Sequence, residues 1–215
     1  MQRARKTVKA AIFDFGGVLA EEGFREGLLA IGKKNGLDPE RFRSIADELI
    51  HESGYVTGLV NESQYWTALR GKTGVSGSDE ELREEILGRF VLRPEMLTIV
   101  ERLKARGLLL AILSDQTNWL DEINAKTPFF QHFQYIFNSY RIRKSKRELS
   151  VFSDVCAAIG ISSDEGLFID DNSDNVQRAS NEGLQVLHFR DTESFKKELE
   201  QAINVKLLAG RSTLR

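Results

Sequence analysis

Val8-Lys9-Ala10-Ala11-Ile12-Phe13-Asp14-Phe15-Gly16-Gly17 is the segment from which the architecture unfolds. Val8 to Phe13 is mostly apolar and of strand length. It stops at an acid, and two glycines close behind it do not comfortably continue a strand. The same pattern recurs downstream. Leu108 to Leu113 is closed by Ser114-Asp115, Tyr135 to Phe137 by Asn138-Ser139, and Gly166 to Ile169 by Asp170-Asp171, while Leu184 to Phe189 follows a break at Gly183. Runs this apolar are expected of parallel strands covered on both faces by helices.

The intervening segments carry helical signals. Pro94 opens a helix whose stripe is Met96, Leu97, Ile99, Val100 and Leu103, and Gly107 closes it. Val151, Phe152, Val155, Cys156 and Ile159 make a second stripe before Gly160, and further helices are expected at Asn172 to Glu182 and Glu193 to Ile203. The alternation predicts an α/β fold, a doubly wound parallel sheet with right-handed crossovers. Glu21 to Leu92 interrupts it with helices alone, at about Phe24 to Asn35, Pro39 to Glu52, Glu62 to Gly71 and Asp79 to Phe90. Asp38-Pro39 and Ser78 with Glu81 mark two of the starts. Two units are therefore expected: a core of residues 1–20 and 91–215, and an all-helical cap of residues 21–90.

Composition narrows the function. The chain has 215 residues, 41% hydrophobic and 29% charged, which excludes a disordered or collagen-like protein. Lys and Arg number 30 against 32 Asp and Glu, so a net charge of -2 gives no reason to expect nucleic acid or membrane as partner. The basic run Arg141 to Arg147 is too short for a nucleic-acid tail. A single cysteine, Cys156, excludes an internal disulfide and a multi-cysteine zinc site. The apolar run after the basic Met1 to Lys6 is too brief and polar for a secretory segment, and no stretch approaches the roughly 20 apolar residues of a spanning helix. A cytoplasmic protein is expected; the oligomeric state is not legible.

Ligands of open parallel sheets bind beyond the carboxyl ends of the strands. Asp14, Ser114, Asp115, Asp170 and Asp171 all fall there, with a basic cluster after the third strand. Carboxylates gathered in one crevice repel unless a cation lies among them. His51, His132 and His188 lack ligand spacing and read as structural. Cys156 and Trp66 read as core, and Trp119 as either packing or crevice lining.

These residues resemble the motifs of the haloacid dehalogenase superfamily across nearly the whole chain. Ile12-Phe-Asp14-Phe-Gly16-Gly17-Val18 is similar to its first motif and Ala111-Ile-Leu-Ser114 to its second. Ser139 to Phe152 matches the length of its third, placing Lys146 on the motif lysine, and Phe168-Ile-Asp170-Asp171-Asn-Ser-Asp-Asn175 is similar to its fourth. The resemblance implies a phosphatase acting on a small phosphorylated metabolite. Asp14 would attack phosphorus to give an aspartyl-phosphate that water hydrolyses. Mg²⁺ would be held by Asp14, the Gly16 carbonyl and Asp171, with Asp170 acting directly or through water. Ser114 and the Asp115 backbone would hold the phosphoryl oxygens, Lys146 would neutralise charge, and Asn175 would orient the loop. The inserted helices would set substrate choice.

Two positions depart from the family pattern. Its second motif aspartate, the usual general acid and base, is Gly16 here, and Glu21 or Glu22 could stand in. Its Gly and Pro residues around the lysine are Arg143, Arg147 and Leu149, so a stiffer or differently shaped loop is expected, and Lys144 or Arg143 could take the place of Lys146. The bacterial α-D-glucose-1-phosphate phosphatase group also reads Asp-x-Gly-x-Val, and its hemiacetal leaving group would need little acid. A 2-haloacid dehalogenase is the rival chemistry, disfavoured by the Asp170-Asp171 pair. A non-catalytic binding protein is the other alternative.

Overall fold

β1 (Ala10–Phe13) is the middle strand of a five-stranded sheet in a computed structural model that describes residues 6–203. β2 (Leu109–Ser114), β3 (Tyr135–Asn138), β4 (Gly166–Asp170) and β5 (Gln185–His188) complete it, in the order β3-β2-β1-β4-β5 with every pairing parallel. Alternation of side chains splits the core between the two faces. Ala11, Phe13, Leu110, Ile112, Leu167 and Ile169 join one buried cluster, whereas Ala10, Ile12, Ala111, Leu113 and Phe168 join the other. β1, β2 and β4 are almost wholly buried, as double coverage requires. The edge strand β5 is half-exposed throughout, so its expected burial on both faces is not met, and β3 is half-exposed up to the buried Asn138.

Between β1 and β2 the chain makes α1 (Gly23–Lys34), α2 (Pro39–Glu52), α3 (Glu62–Thr73), α4 (Asp79–Leu87) and α5 (Pro94–Lys104). The expected starts are built as caps. Asp38 accepts from the Arg41 amide at 2.9 Å with Pro39 in the first turn, and Ser78 and Glu81 form a reciprocal capping box. α4 is shorter than expected: the chain leaves the helix at Gly88, and Phe90 turns in to pack on Phe15.

The remaining helices are α6 (Trp119–Lys126), α7 (Ser139–Ile142), α8 (Ser150–Ile159), α9 (Ser173–Asn181) and α10 (Thr192–Ala202). α6 carries no strong start signal and was not expected. Its first residue, Trp119, is fully buried, stacked on Trp66 with ring centroids 5.9 Å apart and edge-on to Tyr55, so it packs the inserted helices onto the core rather than lining a crevice. The Tyr55 hydroxyl bonds Asn118 Oδ1 at 2.8 Å across the same junction. Cys156 is buried, as its stripe implied. Among the described residues no helix is long and apolar enough to cross a membrane.

Candidate active site

The chain leaves β1 toward β2 and β3 on one side of the sheet, and leaves β4 toward β5 on the other. The crevice this divergence opens lies at the carboxyl ends of β1 and β4. Asp14 follows the last residue of β1, its amide donating to Ile169 O at 2.8 Å, while Asp170 ends β4 and Asp171 comes next. One carboxylate oxygen from each of Asp14, Asp170 and Asp171 falls within 4.8 Å of the others.

Lys146 enters this cluster from the loop after α7. Its Nζ lies 2.8 Å from Asp14 Oδ2 and 2.7 Å from Asp170 Oδ2, with the side chain 1% exposed. Lys144 points outward to Ser150 and Asp154 and so is not the lysine of the site. The Lys146 loop is anchored by Asp115, whose carboxylate accepts from Ser139 Oγ at 2.6 Å and from the Lys146 amide at 2.9 Å. That side-chain task was not foreseen for Asp115. The loop keeps a left-handed turn despite lacking glycine: Arg143 sits at φ 61, the one non-glycine residue with positive φ among the described residues. Its guanidinium donates to the carbonyls of Thr57 and Gly58, tying the loop to the inserted helices.

Asp170 is fully buried and fully engaged. Beyond Lys146 it accepts from the Asn172 amide at 2.8 Å and from Asn175 Nδ2 at 3.2 Å, so Asn175 orients this carboxylate. Asp171 is held by its backbone, whose carbonyl is 2.9 Å from the His188 ring. Gly17, at φ +77, lies against it: a Cβ there would stand 2.2 Å from Asp171 Oδ2. Only a residue without a side chain allows that approach.

Electrostatics follow from the crowding. Burial pushes the Asp14 carboxyl well above its ordinary range against the pull of Lys146, with Asp170 and Asp171 adding to the rise. Burial and then Asp170 raise Asp171. Burial works against the Lys146 ammonium, but Asp14 and Asp170 outweigh it and leave the lysine above its usual range. Lys146 alone therefore does not satisfy the acidic cluster, and its all-oxygen donors suit a hard divalent cation such as Mg²⁺.

A cavity of about 530 Å³ opens from this point, lined by Asp14, Gly16, Ser114, Asp115, Lys146 and Asp171. A groove of about 670 Å³ beside α1 and α4 touches none of them. The two glutamates proposed as stand-ins for the missing acid separate clearly. Glu21 is paired with Arg93 at 2.9 Å, whereas Glu22 lines the cavity, its Oε2 3.2 Å from where a Cβ of residue 16 would be. Glu22 Oε1 also caps α1 through the Arg25 amide at 3.0 Å, and burial raises its carboxyl. His51, read as structural, lines the cavity, while His132 pairs with Glu101 on the surface. Arg25, Arg43 and Arg178 were missed as lining residues, and Arg147, singled out only as a departure in the lysine loop, lines the cavity with them. Arg43, Asp47 and His51 lie four apart on one face of α2, a periodicity that could have pointed to them.

A model of haloacid dehalogenase-like hydrolases matches residues 8–183. Bifunctional epoxide hydrolase 2 of Sus scrofa is 24% identical over 223 residues, covering 94% of this chain and 40% of that protein. The chain thus spans about two fifths of that relative's length. Sesquiterpene phosphatase astK of Aspergillus oryzae is 26% identical over 211 residues, covering 92% of this chain and 97% of that protein. An enzyme of the same family from Bacteroides thetaiotaomicron superposes with a TM-score of 0.73 at 22% identity, over 90% of this chain and 99% of that one. A complex of that enzyme with magnesium and inorganic phosphate has a TM-score of 0.67 at 21% identity, over 87% and 98%.

Proposed function

The chain belongs to the haloacid dehalogenase-like hydrolases, and we propose that within them it is a Mg²⁺-dependent phosphomonoesterase of a small phosphorylated metabolite. The observation that carries this reading is Lys146 clamped between Asp14 and Asp170 at 2.8 and 2.7 Å, with Asp171 in the same cluster. Asp14, Asp171 and the Gly16 carbonyl would hold the cation, which would supply positive charge to the phosphoryl oxygens; Asp170, already bonded to Lys146, Asn172 and Asn175, would assist directly or through water. The phosphatase relative and the magnesium and phosphate complex of the structural neighbour support this choice over other hydrolases.

The chain's own residues then divide the work. An oxygen of Asp14 attacks phosphorus, the bond to the leaving alcohol breaks, and an acyl phosphate remains on Asp14. Water hydrolyses it, releasing inorganic phosphate and restoring the carboxylate. Lys146 offsets charge as the two anions approach, and Ser114 with the Asp115 amide receives phosphoryl oxygens. Glu22, which lines the same cavity, would protonate the leaving oxygen, a contribution of about 10²–10⁴-fold where an acid is positioned. Residues 21–90 would act as a cap that shapes the substrate cavity over the core; residues 1–5 and 204–215 of the expected core lie outside the described residues. The aspartate pair disfavours dehalogenation, and the placement of Lys146 disfavours a purely binding role.

Hydrolysis of p-nitrophenyl phosphate with Mg²⁺ and with EDTA, for the native protein and Asp14→Asn, tests this. Turnover that requires the metal and disappears in the variant is expected. Metal-independent turnover, or activity surviving in Asp14→Asn, refutes it.

A further inference from the structure

We propose that the substrate carries a second anionic group besides the phosphoryl group that reacts, and that Arg147 and Arg178, joined by Arg43 from the inserted helices, receive it. The proposal rests on the phosphomonoesterase reading and narrows its substrate class.

The reaction centre already holds its own cation in Lys146, yet the cavity continues past it and is lined by Arg43, Arg147 and Arg178 with His51. Its volume, about 530 Å³, suits a small ligand well beyond a phosphoryl group. The cations arrive from three elements. Arg43 and His51 come from α2, Arg147 follows Lys146 directly, and Arg178 stands three residues after Asn175 on α9. All three arginines line the one cavity together with His51, whose ring is acted on by the charges of Asp115, Arg147, Asp47 and Arg178.

Their donors are largely unused. Among the described residues the Arg147 guanidinium makes no hydrogen bond or ion pair; only its amide is bonded, to Ser145 Oγ at 3.3 Å. Among the described residues Arg178 has Asn175 Oδ1 at 3.0 Å as its one side-chain partner, and Arg43 has Glu40 at 2.9 Å. The nearby acids do not fill the gap. Asp115 is committed to Ser139 and the Lys146 amide, and among the described residues Asp47 and Asp174 form no ion pair with these arginines. Planar guanidinium forks with free N–H groups suit a carboxylate or a second phosphate, each of which accepts two parallel hydrogen bonds.

The test compares kcat/KM for ethyl phosphate, α-D-glucose 1-phosphate, phosphoglycolate and ethylene glycol bisphosphate, with p-nitrophenyl phosphate as the check on the underlying chemistry. The two-anion esters should exceed ethyl phosphate by about 10–100-fold, the effect expected of one or two charge-assisted hydrogen bonds. Whichever of phosphoglycolate and the bisphosphate leads identifies the second group as carboxylate or phosphate. In Arg147→Met and in Arg178→Met the preference should fall toward one, and Arg147→Lys should restore part of it. Binding of phosphonoacetate over methylphosphonate, measured by titration calorimetry, should follow the same order without any turnover. Equal kcat/KM across the one-anion and two-anion esters, or a preference that survives both arginine substitutions, overturns the inference while metal-dependent p-nitrophenyl phosphate turnover leaves the phosphatase reading intact. No turnover of any phosphate ester overturns both.

Discussion

Lys146→Met removes the charge on which the acidic cluster leans while keeping the aliphatic stem. The ammonium is 1% exposed and meets two carboxylates at 2.7 and 2.8 Å, one of them fully buried. Deleting one partner of such a buried network leaves the others uncompensated, a loss of about 3–5 kcal/mol. At about 2–4 °C per kcal/mol for a domain of this size, the melting temperature should fall by roughly 6–20 °C at neutral pH without metal. Mg²⁺ should recover part of that loss, because a cation among Asp14 and Asp171 takes over some of the missing charge. Lower pH should also recover it, since a protonated carboxyl no longer repels its neighbours. Hydrolysis of p-nitrophenyl phosphate should be abolished in every case. Scanning calorimetry with and without Mg²⁺ reads the first effects. A melting point within about 2 °C of the native protein in metal-free buffer would refute the premise that Lys146 is the counter-charge of this cluster.

Two further outcomes follow from the same geometry. Gly17→Ala places a methyl 2.2 Å from Asp171 Oδ2 at φ +77. It should cost about 1–2 kcal/mol in backbone conformation, and by displacing Asp171 should raise the half-saturating Mg²⁺ concentration more than tenfold. An unchanged metal requirement would remove Asp171 from the ligand set. Asp14 and Asp171 have raised values in the metal-free fold, so their contribution to stability is present below the ordinary carboxylate range and is lost as pH rises through those raised values. Stabilisation by Mg²⁺ should therefore be larger at pH 8 than at pH 5; equal melting-point increments would refute the account.

How much of this was legible in the sequence depends on whether a residue's place is set by its own strand or by the packing of distant elements. Asp14, Ser114 and Asp170 stand where apolar runs end, and the ends of parallel strands meet by topology alone, so their convergence could be read directly. Lys146 is a harder case. Lys144 offers the same chemistry two residues away, and only the anchoring of the loop by Asp115 turns one inward and leaves the other on Asp154. Arg143 shows the opposite effect. A residue expected to distort the loop adopts the left-handed turn, with its guanidinium secured on the carbonyls of Thr57 and Gly58. The cavity wall was least legible because it depends on how α2 lies on the core. Phe42, Ala46, Leu49 and Ile50 bury one stripe of that helix. Once the stripe is seated, the adjoining face of Arg43, Asp47 and His51 turns toward Lys146 and its neighbours. An apolar stripe announces that a helix packs, but the element it packs on decides which polar neighbours reach a site. The acidic cluster was therefore written in the strand ends, and the wall of the cavity beside it in a docking event that no single segment records.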